Sequence, residues 1–418
     1  MSTDSPVCDW FDPFVEPALT EPAPAWERLR DEQPVFYSPV VGGWLVTRYA
    51  DALSVLGDPA HFSNSAMSTA GRERPAAVQA VLDQIPDPLE MDVVVSDPPR
   101  HSRLRKFMQS AFTPRRVASM RDDVVAIADG LIDLMIDEGR CDIYERFAYP
   151  FPLLVVCRLL GVPTEMAPDL NEWSTASLAV RFGVFSDEES HLAAARGRVS
   201  LYRFAESVIQ DRTDHPRDDL VSQIVQESGG SDDPLTRPEL VHQVIALISA
   251  GHETSANGLT LGLYHLLANR DQWQRILDDI SVLETAVDEM LRFASPMNTI
   301  WRRAIADVEV AGVTIPAGDR VGLLVASANR DESVFECPAD LDVARANADR
   351  HLNFGRGIHF CVGAGLARQE LRVALQQLST RLPSLRLQEN ASLGIRPNAV
   401  LRIPSGLAVE WDERGAAT

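Results

Sequence analysis

Phe354-Gly355-Arg356-Gly357-Ile358-His359-Phe360-Cys361-Val362-Gly363 reads as a glycine-built loop that delivers one cysteine to the start of a helix. Gly355, Gly357 and Gly363 give the main chain the freedom to approach a flat partner closely. Beyond Cys361, Leu366, Leu371, Ala374, Leu375 and Leu378 recur at helical spacing, so the sulfur is expected near a helix N-terminus. Unpaired N–H groups and the dipole there favour a thiolate over a thiol. A lone cysteine among glycines is more often a small buried hydrophobe, and Cys-x-Gly alone leaves that reading ahead. Zinc is disfavoured, because no second cysteine or histidine lies at ligand spacing around Cys361.

The composition excludes several classes around this loop. The 418 residues are 45% apolar and 24% charged, as in a globular protein, with room for one large domain or two average ones. No uncharged apolar run approaches the roughly 18 residues that span a bilayer. Met1-Ser2-Thr3-Asp4-Ser5-Pro6 is polar and acidic, without the basic region and apolar core of a signal peptide. A cytoplasmic protein with no membrane anchor is therefore expected. A net charge of −21 argues against nucleic acid or an anionic membrane as partner. Positive charge is concentrated at Arg100, Arg103, Arg105, Lys106, Arg115, Arg116 and Arg121, either as a solvated helix face or as a docking patch. Five scattered cysteines with no pairing pattern fit a reducing compartment.

The chain has no internal repeat and no long linker, and is expected to form a single domain over 1–418. Prolines at 6, 13, 17, 22 and 24 predict an extended N-terminal arm over 1–30. Pro34–Tyr37 and Trp44–Thr47 read as strands of a small β region, and Asp97–Leu291 as mostly helix, broken at Pro163 and at 229–234. A β-rich patch returns at Val308–Gly318, with final strands near Ala399–Arg402 and Leu407–Trp411. The alternation does not repeat as β-α units, so the fold class is mainly α with small β-rich regions. Thr236-Arg237-Pro238-Glu239 is a capping box that opens a helix of about 30 residues to Ala268, apolar enough to cross the core. Its middle, Ala250-Gly251-His252-Glu253-Thr254-Ser255, is polar and carries a glycine. A Thr254 hydroxyl bonded to the Ala250 carbonyl would open the helix beside Gly251 and leave space for a diatomic ligand. An exposed Glu-Thr pair is the plainer alternative.

The ten-residue loop resembles the haem-binding signature of cytochrome P450, Phe-Gly-x-Gly-x-His-x-Cys-x-Gly, at every defined position, and Leu366-Ala367-Arg368 continues it. Ala250-Gly251-x-Glu253-Thr254 matches the oxygen-activation motif of the same family, with Ser255 where a second threonine is often found. The resemblance runs from Trp44 to Trp411 with its motifs in family order. It implies the cytochrome P450 fold, with a long central helix crossing a buried haem b (iron protoporphyrin IX), and Cys361 as the axial iron ligand. A thiolate there pushes electron density onto the metal. Phe354, Gly355, Gly363, Ala250 and Gly251 line the haem under this reading. His101 and Arg105, one helical turn apart, together with Arg302 and His359, are the expected propionate ligands, arginine's fork being suited to carboxylates. Arg303 beside Arg302 leaves that register open. Glu289, Arg292 and Arg345 are expected as a structural network.

What the resemblance implies about activity is a soluble, bacterial-type monooxygenase. O2 is activated with two electrons and two protons. One oxygen atom enters a small organic substrate by hydroxylation, epoxidation or oxidative dealkylation, and the other becomes water. Thr254 and Glu253 steer the protons. Ferredoxin (or flavodoxin) and its reductase carry electrons from NAD(P)H, and a monomer is expected. Family analogy assigns the substrate lining to parts of 67–95, 175–185, 245–249, 297–300 and 399–401, among them Val180, Phe182, Ile245, Met297, Asn298, Ile300 and Val400. This mixed lining suits a moderately hydrophobic molecule. The alternatives are a peroxide-driven peroxygenase, an oxidative-coupling enzyme, and a haem sensor without turnover, which needs no proton relay.

Overall fold

The helix Ala364–Arg381 and the helix Leu283–Phe293 pack against one another and carry the cysteine loop at one end. The computed structural model describes residues 6–67, 74–86, 91–182 and 187–412. The chain divides into two bodies. The first takes residues to Phe62, Val124–Phe151 and Thr254 onward; the second takes Ser63–Asp123 and Pro152–Glu253.

In the first body, Val35–Ser38 and Gly43–Val46 form an antiparallel hairpin. Gly43–Val46 runs parallel to Arg320–Leu323, which in turn pairs antiparallel with Ile300–Ala304. Alternation along these strands sends Trp44, Val46, Val321 and Leu323 into one core with Tyr49, Val55 and Phe335, all nearly fully buried. Gly322 is needed where it stands: a Cβ there would lie 2.7 Å from Leu45 Cδ2 and 2.8 Å from Thr299 Cγ2. Arg140–Asp142 and Arg386–Leu387 flank Ala408–Glu410 in a second, antiparallel sheet.

The second body is helical. Ala167–Phe182 packs along Glu188–Asp214, and the two backbones come close at Gly197, where a Cβ would sit 2.4 Å from that of Ala176. Val78, Leu82, Val180 and Ala195 fill the space beside them. Among the described residues, no helix is long and apolar enough to cross a membrane.

Three expectations need correction. The N-terminal stretch is not extended to residue 30: Ala23–Glu32 is a helix that buries Trp26, Leu29 and Arg30. Pro22 is its N-cap and Pro24 lies in its first turn, where a missing N–H costs nothing. The expected strand at Ala399–Arg402 holds only an isolated bridge, Met297 to Leu401, and the strand proper is Ile403–Pro404. Asn398 Oδ1 takes the N–H groups of Val400 and Leu401 at 2.8 and 2.9 Å, so a turn uses the donors a ladder would need. Finally, the capping box at Thr236 forms as read, but the helix it opens is interrupted. It runs Arg237–Gly251 and resumes as Glu253–Ala268.

Candidate active site

The cysteine loop is built by its glycines. Gly355 and Gly357 hold φ of +66° and +72°, a region that L side chains avoid. A Cβ on Gly357 would also come within 2.6 Å of the Leu56 carbonyl oxygen. The Cys361 N–H donates to the Phe354 carbonyl at 2.8 Å, closing the loop on itself. Gly363 is the N-cap of Ala364–Arg381, and its Cβ position lies 4.0 Å from Cys361 Sγ. The sulfur therefore stands beside a helix N-terminus, next to a residue with no side chain to cover it. Cys361 is exposed, whereas Cys8 and Cys157 are buried. An exposed cysteine on a glycine-rich loop at a positive helix end fits a thiolate that ligates the iron of a planar macrocycle.

Other expected site residues belong to the first body as well. Arg302 is almost fully buried on the strand Ile300–Ala304 and donates to the Trp301 carbonyl at 3.0 Å. Arg303, on the opposite face of the strand, donates to the Gly318 carbonyl at 2.7 Å. His359 is half-buried in the loop itself. Met297, Asn298, Ile300 and Val400 are gathered by the bridge at Leu401 and by an Asn298 N–H to Val400 carbonyl bond of 2.8 Å. Glu289 is fully buried and is gripped by Arg292, whose Nε and Nη2 lie 2.7 and 2.8 Å from its two oxygens. Arg345 Nε joins it at 3.1 Å, and Arg292 and Arg345 both donate to the Asp340 carbonyl.

In the second body, His101 and Arg105 share one face of Arg100–Ala111. Burial, and next the Arg105 charge, hold His101 below the ordinary imidazole value, so its ring is neutral near pH 7. Arg103, on the same helix, is tied to Glu239 and lies 3.7 Å from Asp233; Arg116 lies 3.2 Å from Asp218. The basic cluster is thus partly committed to internal pairs, while Arg100, Lys106, Arg115 and Arg121 are exposed. Ala250 and Gly251 end the helix Arg237–Gly251; a Cβ at Gly251 would lie 2.9 Å from Val156 Cγ2. Val180 and Ile245 are buried and Phe182 half-buried. Positions 68–73, 87–90 and 183–186, which include part of the expected substrate lining, lie outside the described residues.

The interruption at position 252 has a local cause. The His252 ring, fully buried, bonds through Nδ1 to the Ile248 carbonyl at 2.9 Å, four residues back. That carbonyl is engaged by a side chain where the helix ladder would need it. Glu253 and Thr254 follow, half-buried at the start of the next helix. Burial lowers the His252 pKa, so its ring stays neutral.

Sequence reading missed one residue, Glu370. It sits on the buried face of Ala364–Arg381, between Leu366 and Leu371, and is 2% exposed. Burial pushes its pKa up to about 8, opposed only by a hydrogen bond with Ser255. It is a protonated acid at neutral pH, next to the residue that follows Thr254. An acid on the apolar stripe after Cys361 was the available signal.

Comparison with known proteins agrees with this geometry. The family model described as cytochrome P450 matches residues 197–282 and 272–389. The chain is 36% identical over 398 residues to cytochrome P450 monooxygenase PikC of Streptomyces venezuelae, covering 94% of this chain and 91% of that protein. It is 37% identical over 407 residues to nocardicin C N-oxygenase of Nocardia uniformis subsp. tsuyamanensis, covering 96% and 98%. The crystal structure of the Tepidiphilus thermophilus P450 heme domain superposes with a TM-score of 0.90 at 31% identity, covering 96% of both chains. With a mainly helical fold, small sheets and an exposed cysteine in a glycine loop, the chain belongs to the cytochrome P450 family of haem-iron monooxygenases.

Proposed function

We propose that this chain is a haem-thiolate monooxygenase that inserts one oxygen atom from O2 into a moderately hydrophobic small organic substrate. The observation that carries this reading is the exposed Cys361 beside Gly363 at a helix N-terminus. Bound haem b supplies the iron at which O2 and electrons meet. The remaining tasks fall to this chain's residues. Cys361 would hold the iron, and the glycines of its loop would let a flat ring approach the backbone. Arg302 and His359 of the first body, and His101 and Arg105 of the second, take carboxylate-binding roles by resemblance to the family. Glu253 and Thr254 hold and pass protons between solvent and the reacting oxygen. Met297, Asn298, Ile300, Val400, Ile245, Val180 and Phe182 contact substrate. Their mixture of apolar side chains with one amide sets the polarity that the substrate must match.

The whole chain acts as one catalytic domain in this reading, since the relatives align along nearly all of it. Electrons come from NAD(P)H through a separate reductase and a ferredoxin or flavodoxin, which the exposed Arg100, Lys106, Arg115 and Arg121 would favour as acidic partners. The protein works as a cytoplasmic monomer.

The test is Thr254→Ala in the reconstituted system with a spin-shifting substrate. NAD(P)H consumption should continue while product falls about tenfold or more and peroxide accumulates, the usual scale for a lost proton-transfer group. Unchanged coupling would remove Thr254 from the proton path. A purified protein whose ferrous–CO complex lacks the red-shifted Soret band of thiolate ligation would remove Cys361 from the iron.

A further inference from the structure

Phe354, whose carbonyl receives the Cys361 N–H at 2.8 Å, is held by two neighbours. The Arg368 guanidinium carbon lies 4.6 Å from the centre of its ring, and the His351 ring lies at 5.3 Å, tilted by 48°. One carboxylate anchors both of them. Asp288 Oδ1 accepts from Arg368 Nε at 2.7 Å and from His351 Nε2 at 3.1 Å.

The proton positions follow from the donors. The Asn353 N–H donates to His351 Nδ1 at 3.2 Å, so Nδ1 is an acceptor and the ring proton is on Nε2, facing Asp288. Burial, which outweighs Asp288, lowers the His351 pKa and agrees with a neutral ring. Burial alone would raise Asp288, but the hydrogen bond from His351 and the hydrogen bond and charge of Arg368 prevail and hold it below the usual carboxylate range. The unit therefore contains one negative and one positive charge. His351 and Asp288 are shielded from solvent, with 0% and 10% of their side chains exposed, and Arg368 is 22% exposed. Asn353 is fixed in turn by the Leu291 carbonyl at 2.9 Å and by Ser295.

We propose that Asp288, His351 and Arg368 are positioning residues, a charge-balanced clamp on Phe354 that fixes the Cys361 loop and, by pairing its two charges, keeps either one from displacing the reduction potential of the iron. The proposal rests on the reading of Cys361 as the iron ligand. A carbonyl that receives the N–H of the ligating residue controls how the sulfur is presented, and Phe354 cannot turn while Arg368 and His351 cover its ring. The clamp is also neutral, so neither iron oxidation state is favoured by it. Breaking it from either end exposes one unbalanced charge in a poorly solvated place, with opposite consequences.

Potentiometric titration of the purified holoprotein tests this. Arg368→Gln leaves the Asp288 carboxylate unbalanced and should favour ferric iron about tenfold, a fall of about 59 mV for one electron. Asp288→Asn leaves Arg368 unbalanced and should raise the potential by a similar amount. The double variant D288N/R368Q should return to within about threefold of wild type, and R368K, which keeps the charge, should stay near it. A purely structural role would lower haem content in both single variants without moving the potential of what remains. Shifts of the same sign in R368Q and D288N, or both below about twofold, overturn the clamp. Should D288N not fold, the sign of the R368Q shift and its rescue in R368K decide the matter. The wild-type ferrous–CO spectrum separates the two readings: without the red-shifted Soret band the ligand assignment fails, and with it only the clamp is at stake.

Discussion

Glu370→Gln isolates a carboxyl group whose burial should be visible in the pH dependence of stability. In the unfolded chain this glutamic acid ionises at its ordinary value of 4.5; in the folded protein burial postpones ionisation to about 8. The folded state thus binds a proton that the unfolded state has lost over this interval. Stability is complete below pH 4.5, falls as pH rises, and has lost the full contribution above about pH 8. At about 1.4 kcal/mol per pH unit, the interval corresponds to about 5 kcal/mol, of which about 4 kcal/mol falls between pH 5 and 8. The amide in Glu370→Gln keeps the shape and a polar contact toward Ser255 but cannot titrate. Urea midpoints of wild type and variant, measured as holoprotein across this range, should diverge progressively, with the variant relatively more stable at the alkaline end. The infrared stretch of a protonated carboxyl should be present in wild type at pH 7, fade as pH passes about 8, and be missing from the variant. Parallel stability profiles, together with no such infrared band at neutral pH, would show that Glu370 is ionised and that burial does not control it.

Other residues give sharper losses. Gly357→Ala combines a Cβ 2.6 Å from the Leu56 carbonyl oxygen with a φ of +72°, so the loop must shift; the ratio of haem to protein absorbance after purification should fall severalfold. Glu289→Gln removes the acid that buried Arg292 and half-buried Arg345 share and should cost about 3–5 kcal/mol in chemical denaturation, well above a surface pair. Thr236→Ala removes the side chain that accepts the Glu239 N–H at the N-cap and should cost about 1 kcal/mol, read as a lower denaturation midpoint with spectra unchanged.

The parts of the site that were legible in the sequence are those built from neighbouring residues. Ten consecutive positions make the Cys361 loop, and a four-residue box opens the helix at Thr236, so short spacing carried both. The break at position 252 was half legible. Gly251 flags the weak point, and a bond to a carbonyl four residues back is made there by His252, the undefined position of the motif. Prolines misled at the N-terminus because proline marks extended chain and helix starts alike; only the burial of Trp26 and Leu29 separates the two at Ala23–Glu32. The Asp288–Arg368 pair spans 80 residues and Asp288–His351 spans 63, distances at which no periodicity or spacing rule operates.

Asp288 and Glu289 show how one helical turn serves two purposes. Successive residues on a helix point about 100° apart. Asp288 is thereby directed to His351 and Arg368, beside the ring of Phe354. Glu289 instead meets Arg292 and Arg345, whose other hydrogen bonds go to the carbonyls of Asn329, Glu336, Cys337, Pro338 and Asp340. The first carboxylate reaches the residue that shapes the cysteine loop; the second binds the irregular segment leading toward it. Glu370, on the helix that the loop opens, is subject to burial opposed only by its hydrogen bond with Ser255 and holds its proton instead. Buried acids on two packed helices are thus kept in different states by what surrounds them. Arginine and histidine partners hold Asp288 ionised, and burial against a single hydroxyl partner makes Glu370 an acid with a proton to give at neutral pH.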